Sequence, residues 1–307
     1  MTEWWLTGCC RSSGERRLLP ADEEDWPPGA EVMIPGSGGE VRTEAMIEVR
    51  DLSFGYSRPD EIYSHFSWTV GAGEAWAVLG PSGCGKTTLV HLLAGLRRPT
   101  GGSIRIDGSE VTGPRTSTGL ILQDHGLLPW ARAWDNIALG LRIRRVPRDE
   151  IRARVSYWLE RLGIDGVAGR YPGQLSGGQR QRVAIARTLA LEPSLLLMDE
   201  PFSSLDSSTR ENLQDLVVGL SEGTGMTTIL VTHDIQEAVF LGKKILVVAG
   251  QQPLSSYRVV GNPGARQPGY RRSLEFFERC AQVRDLTADM ANRLPFSTAV
   301  RGQGLVG

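Results

Sequence analysis

Short apolar runs separated by longer amphipathic stretches pattern the chain from Met46 to about Gly250. The runs AWAVLG (75–80), GLILQ (119–123), LLLMDE (195–200), TTILVTH (227–233) and KILVVA (244–249) are compact and apolar almost throughout. Strands buried on both faces read this way, so the pattern predicts a mostly parallel α/β sheet. MIEVRDLSFGY, from Met46, and YSHFSWTV instead alternate polar with apolar and read as antiparallel strands. Between about 125 and 190 the strand pattern stops. There RDEIRARVSYWLERLGI places Ile151, Val155, Trp158, Leu159 and Leu162 on one helical stripe, with Arg and Glu opposite. Simple packing explains that stripe. The expected fold is an α/β core with an antiparallel β subdomain and an inserted α-helical subdomain.

The flanks differ. Residues 1–45, with PADEEDWPPGAEVMIPGSGGE, carry neither period and are expected to be a disordered extension; Met46 offers an alternative start. The LTGC near the front resembles a lipoprotein cleavage box. Glu3 stands where a basic residue belongs, however, and too little apolar chain precedes Cys9, so the match is read as coincidence. Residues 251–307 are expected as a tail with proline-rich turns, a short amphipathic helix turning Leu274, Phe277 and Cys280 or Ala281 inward, and a loose end from 290.

Composition removes several function classes. The 307 residues are enough for one large domain or two small ones, and a formal charge of −1 gives no global basic field for nucleic acid. No apolar run approaches the roughly 18 residues needed to span a bilayer, so a membrane role requires a partner. Cys9, Cys10, Cys84 and Cys280 show no zinc spacing and suit a reducing, cytosolic setting.

The chemistry begins at GPSGCGKTT. Gly80, Gly85, Lys86 and Thr87 satisfy G-x-x-x-x-G-K-S/T, between the strand AWAVL and the helical TLVHLLAGL. Glycines let backbone N–H groups turn toward phosphates, and a helix N-terminus adds a positive dipole. Lys86 would meet the β- and γ-phosphates, and the Thr87 hydroxyl would ligate Mg²⁺. LLLMDEP then carries Asp199 to the carboxyl end of a strand, to bind Mg²⁺ through water. Glu200 beside it is free to orient or deprotonate an attacking water. A second Ser/Gly-rich helix start, LSGGQ (175–179), has the look of another anion cradle but contains no lysine.

Together these motifs resemble the nucleotide-binding subunit of ATP-binding cassette (ABC) transporters, over about residues 46–250. Their order matches: Tyr56, GPSGCGKTT, Gln123, LSGGQ, LLLMDEP, SSLD (203–206) and His233 in VTHD. The resemblance implies an ABC-type P-loop NTPase core. It also implies ATP and Mg²⁺ as ligands and a head-to-tail dimer in which each ATP lies between one chain's phosphate loop and its twin's LSGGQ. ATP contacts would come from Tyr56 stacking on adenine and from Gly80, Pro81, Ser82, Gly83, Cys84, Gly85, Lys86, Thr87 and Thr88. Leu175, Ser176, Gly177, Gly178 and Gln179 would form the ATP-binding signature supplied in trans, with Ser176, Gly177 and Gly178 gripping the γ-phosphate from across the interface. Catalysis would fall to Glu200, His233 and Gln123, the metal to Thr87, Gln123 and Asp199, and dimer communication to Asp206. Asp234 with Glu237 is expected to form a capping box that fixes His233.

DHGLLPWARAWDNIALGL after Gln123 resembles the nitrate, sulfonate and taurine import ATPases. Leu127, Leu128, Pro129 and Trp130 would there receive a helix from a membrane permease, with an extracytoplasmic solute-binding protein as a more distant partner. The subunit would sit on the cytoplasmic face of the cell membrane, held by the permease, with no nucleic acid involved. The added regulatory domain of longer members has no counterpart in the sequence. The rival reading is a hydrolysis-deficient cassette acting as an ATP-dependent binding or regulatory module; Lys86, Glu200 and His233 speak against it.

Overall fold

The computed structural model describes residues 45–57, 61–203, 205–248, 250, 253–254 and 257–292. These belong to one compact unit. The extension expected over residues 1–45 lies outside them apart from Ala45, as does the expected loose end beyond residue 292.

In chain order the structure opens with β1 (Ala45–Gly55), β2 (Glu61–Gly71) and β3 (Ala75–Leu79). Then come α1 (Lys86–Leu93), β4 (Gly101–Ile106), β5 (Ser109–Glu110) and β6 (Thr118–Ile121). A helical stretch follows: α2 (Ala133–Ile143), α3 (Arg148–Arg161) and α4 (Gly177–Leu189). The second half alternates β7 (Leu195–Asp199), α5 (Ser207–Thr224), β8 (Thr227–Thr232), α6 (Ile235–Leu241) and β9 (Lys244–Val248), then ends with β10 (Tyr257–Gly261) and α7 (Leu274–Asn292).

Two sheets result. A four-stranded antiparallel sheet runs β2-β1-β4-β5, and a six-stranded sheet runs β10-β9-β3-β8-β7-β6. Strands β9, β3, β8, β7 and β6 pair in parallel, with β10 antiparallel at one edge. The continuous apolar runs have a direct cause. Along β3, Ala77 and Leu79 face one core cluster while Trp76 and Val78 face the other. β7 divides in the same way, with Leu196 and Met198 on one side and Leu195 and Leu197 on the other. Burying each such aliphatic side chain favours the fold by about 1.5–3 kcal/mol.

The helical stripe is found as expected: Ile151, Val155, Trp158, Leu159 and Leu162 are all buried. The tail differs from expectation. α7 runs 19 residues, and it turns Phe276, Cys280 and Val283 inward while Leu274 and Phe277 stay 73% and 56% exposed. Two adjacent phenylalanines leave the helical phase ambiguous in sequence. The i, i+4, i+7 set ending at fully buried Val283 decides it. β10 and α7 join the main sheet and its core cluster.

Parallel pairing puts the carboxyl ends of β6, β3, β8 and β7 along one rim, where open α/β sheets hold ligands. Register places Leu79 opposite Thr232 and Asp199 opposite Val231. The residues that follow these strands therefore meet.

Candidate active site

β3 runs directly into the glycine-rich loop. Gly83 and Gly85 have φ of 80° and 105°, values that side chains rarely adopt. A Cβ on Gly85 would also lie 2.6 Å from Ile62 Cγ2. Gly85 is the N-cap of α1, and no side chain caps that end, so the first-turn amides are left for something else. Lys86 is 6% exposed, and its Nζ donates to the carbonyls of Gly80 and Pro81 at 2.9 and 2.8 Å. Pro81, Ser82, Gly83 and Thr87 are exposed, whereas Cys84 and Thr88 are buried. Burial pushes the Cys84 thiol upward in pKa, so it behaves as packing, not as a nucleophile.

β2 supplies a support that the sequence motifs do not reveal. The buried Tyr63 hydroxyl donates to the carbonyl of Gly85 at 2.8 Å, and burial raises its pKa far above the ordinary phenol value. Tyr56, at the end of β1, is 56% exposed. Its hydroxyl sits 3.3 Å from Thr88 Oγ1, its ring meets Phe54 edge-on, and the Arg97 guanidinium lies 5.4 Å from its centroid. An exposed aromatic anchored at the mouth of the loop suits a flat base.

β7 delivers Asp199 beside Thr87. Asp199 is 2% exposed. Burial holds its carboxyl above the ordinary carboxylate range, against a hydrogen bond with Thr87 that lowers it, with Glu200 adding to the rise. Its Oδ1 is buried without a hydrogen-bond partner. An orphaned carboxylate oxygen next to a threonine hydroxyl fits a hard divalent cation such as Mg²⁺. Glu200 follows with φ of 46°, a strained value for a non-glycine residue, and its N–H donates to the carbonyl of Val231 at 2.9 Å. That turn points its carboxylate along the rim, where Oε1 lies 3.0 Å from His233 Nδ1.

His233 leaves β8 just before α6. Asp234 caps α6, accepting from the amides of Gln236 and Glu237 at 2.7 and 3.2 Å. The expected reciprocal box does not close. The Thr232 hydroxyl stands between, accepting from the Asp234 N–H at 3.0 Å and donating to Glu237 Oε2 at 2.8 Å. Glu237 is buried, which raises its pKa, and its Oε2 accepts from the Thr232 hydroxyl in place of the Asp234 N–H.

Ser176 is the N-cap of α4. Its Oγ accepts from the Gln179 N–H at 3.2 Å, while Gln179 Oε1 accepts from the Ser176 N–H at 3.0 Å. This is a closed capping box. The Ser176 O–H and the glycine amides remain to donate. Leu175 is buried and anchors the approach. Asp206, with Thr209 N–H bonded at 3.0 Å, caps α5. That bond holds its carboxyl below the ordinary range. Ser204, within the SSLD motif, lies outside the described residues.

Gln123 is exposed, in a turn that begins two residues after β6 ends at Ile121. Of the four residues after it expected to meet a permease, Leu127 packs against the core, Leu128 is half-buried, Pro129 is exposed and Trp130 is 74% exposed. Two side chains hold this loop, and sequence reasoning did not single them out for it. Fully buried Asn136 of α2 accepts from the Leu128 N–H at 2.8 Å and donates to the Ala131 carbonyl at 2.9 Å. Arg187 of α4 donates to the carbonyls of Gly126 and His125 at 2.6 and 2.8 Å. A polar Asn on the otherwise apolar stripe of α2 was the signal available for the first.

The fold and rim define a phosphate-loop nucleotide-binding protein, and comparison with known proteins narrows the class. A family profile described as ABC transporter matches residues 63–203. The taurine import ATP-binding protein TauB of Chromobacterium violaceum is 48% identical over 183 residues, covering 60% of this chain and 70% of that one. TauB of Pseudomonas aeruginosa is 44% identical over 211 residues, covering 69% and 75%. Among solved structures, the dimeric post-hydrolysis state of the ATP-binding cassette MJ0796 bound to ADP and Pi is similar at a TM-score of 0.64 and 29% identity. It covers 69% of this chain and 98% of that one. The chain belongs to the ABC transporter family, as an ATP-binding subunit of the import group that its sequence resembles.

Proposed function

We propose that this chain hydrolyses ATP to drive import of a small anionic or polar solute of the nitrate, sulfonate or taurine kind. Two copies close head to tail around two ATP molecules. The relatives named for taurine import support the substrate class, and the dimeric MJ0796 cassette supports the assembly. The observation that carries the reading is the pair of helix starts. The α1 end has no side-chain cap and a buried lysine, and the α4 end is self-capped and exposed at Ser176.

The γ-phosphate would lie between the loop amides and Lys86 on one side and the partner copy's Ser176 and glycine amides on the other. Tyr56 would stack on the adenine. Thr87, Gln123 and Asp199 would hold Mg²⁺, which would supply charge neutralisation at the phosphates. Among the described residues no group of three or more His, Cys, Asp or Glu converges. Glu200 orients the water and accepts its proton as the new bond to γ-phosphorus forms. The bond to the bridging oxygen breaks and ADP leaves with that electron pair. His233, 3.0 Å from Glu200, steadies that carboxylate and faces the γ-phosphate. Loss of that phosphate weakens the closed dimer, and Asp206 reports the change between copies.

Residues 46–250 would form the cassette, with a helical subdomain over about 125–190, residues 1–45 an extension and 251–307 a tail. Among the described residues no helix is long and apolar enough to cross a membrane. The subunit would be held at the cytoplasmic face by permease subunits at Leu127, Leu128, Pro129 and Trp130, and served indirectly by a solute-binding protein. The test is light scattering of the Glu200→Gln chain with and without ATP. An ATP-dependent doubling of mass supports closure, and a mass unchanged by ATP overturns it.

A further inference from the structure

α6 carries His233 at its mouth, yet it is too short to hold itself. Its seven residues, Ile235–Leu241, make about two turns, and an isolated helix of that length is marginal in water. On one side His233 has little to lean on. With Leu79, Ile235, Val248 and Thr287 it lines an apolar cavity of about 210 Å³. Where the imidazole stands therefore depends on where α6 stands.

The far end of α6 is gripped by the chain between β10 and α7. Fully buried Asn262 donates from Nδ2 to the carbonyls of Val239 and Gly242 at 2.5 and 3.2 Å. Its N–H donates to the Lys243 carbonyl at 2.8 Å, and the Tyr270 hydroxyl donates to its Oδ1 at 2.6 Å. Arg266 is 8% exposed and sits at a left-handed φ of 69°. Its guanidinium donates to three elements at once: the Leu241 carbonyl of α6 at 2.6 Å, Ser221 Oγ of α5 at 2.6 Å and Thr228 Oγ1 of β8 at 2.8 Å. All three acceptors are neutral, and burial lowers the guanidinium pKa to about 10. A cation buried without a carboxylate is costly, and its strained backbone adds to the cost. Helix-end carbonyls, which lack donors within the helix and carry the negative end of its dipole, offset part of it.

We propose that Arg266 and Asn262 are positioning residues for hydrolysis. By tying the C-terminal end of α6 to α5 and β8, they set where His233 stands at the other end, 3.0 Å from Glu200. The tail thereby becomes part of the catalytic apparatus without reaching the nucleotide. The inference rests on the reading in which His233 acts with Glu200. Arginine suits the task because its planar fork aims several donors at fixed angles, where lysine offers a point charge. Tyr270 acts one step further back, by holding the Asn262 amide toward the helix.

The experiment measures kcat and KM for ATP by phosphate release from the full chain, with the melting temperature recorded beside them. Arg266→Met removes all three bonds and is expected to lower kcat roughly tenfold while KM stays within about twofold. Arg266→Lys, which keeps the charge, recovers part of the loss. His233→Ala lowers kcat too, and adding Arg266→Met to it costs nothing further, because the two act as one. If Arg266→Met does not fold, Tyr270→Phe decides. It releases Asn262 and should lower kcat in the same direction, and an unchanged kcat overturns the inference. A lower melting temperature with kcat kept also overturns it, since the clamp would then only hold the fold. So does an undiminished loss when Arg266→Met is added to His233→Ala. If His233→Ala leaves turnover unchanged, the role given to His233 fails instead, and this inference with it.

Discussion

α1 and α4 both begin with small residues and both present a helix start, yet they are finished in opposite ways. At α1 the cap is Gly85, no side chain satisfies the first-turn amides, and Lys86 folds inward against the loop carbonyls. At α4 a closed capping box satisfies the helix from within, and Ser176 stays exposed. An unsatisfied helix start is costly unless a ligand arrives, so α1 suits an anion. α4 is stable without one, which suits the proposed role of meeting a neighbour's. On the proposed reading, the same physics of dipole and amide would serve possession in one place and recognition in the other.

The comparison can be broken at graded points. Glu200→Gln should cut hydrolysis by about 100-fold or more, the usual worth of a positioned proton acceptor, while nucleotide affinity holds; turnover by phosphate release is the check. Lys86→Ala should weaken ATP binding to a single chain by roughly tenfold or more, from the loss of charge-assisted contacts of about 1.5–3 kcal/mol. Calorimetry showing unchanged affinity would remove the lysine from the first cradle. Ser176→Ala should cost about 1 kcal/mol of stability through its lost cap, read by urea unfolding, and lower turnover while single-chain affinity is retained. If affinity fell as far as with Lys86→Ala, the two cradles would not be separate.

Asp199 sharpens the contrast through pH. Its folded pKa is raised by burial, so the neutral form is the one the fold favours. Stability is fully present below the ordinary carboxylate pKa of about 4 and is lost as pH rises through the folded value. Asp199→Asn should therefore raise the melting temperature of the nucleotide-free chain at neutral pH and flatten its pH dependence. Stabilisation by Mg²⁺ with ATP should fall in the same variant. Differential scanning at several pH values reads both. Smallest of all on folding, Trp130→Ala should change stability by no more than about 0.5 kcal/mol, since the ring is 74% exposed; its effect belongs to transport in membrane vesicles.

Much of this was legible because burial on both faces writes an unbroken apolar run. β3, β7, β8 and β9 each fall inside a run read from sequence, and their carboxyl ends place Lys86, Asp199, Glu200 and His233 together. What escaped has physical reasons. The Phe276–Phe277 pair leaves two helical phases open, and only packing against the core chooses Phe276 with Cys280 and Val283. The Asp234–Glu237 box looked complete by spacing, but Thr232 lies outside the four-residue pattern and competes for Glu237. Tyr63, Asn136 and Arg187 act on backbone carbonyls and amides, which carry no sequence identity. Their targets are invisible until the loops have shape.

The antiparallel strand β10 and the helix α7 have a practical consequence for where this folding unit stops. A polypeptide trimmed at residue 250, after the last parallel strand, would strip β10 from β9 and leave unpaired those N–H and C=O groups of β9 that face away from β3. It would also bare the surface that Phe276, Cys280 and Val283 cover. A naked apolar edge of that kind is a template for pairing with other molecules. The shortened protein is therefore expected to precipitate more readily than the full chain.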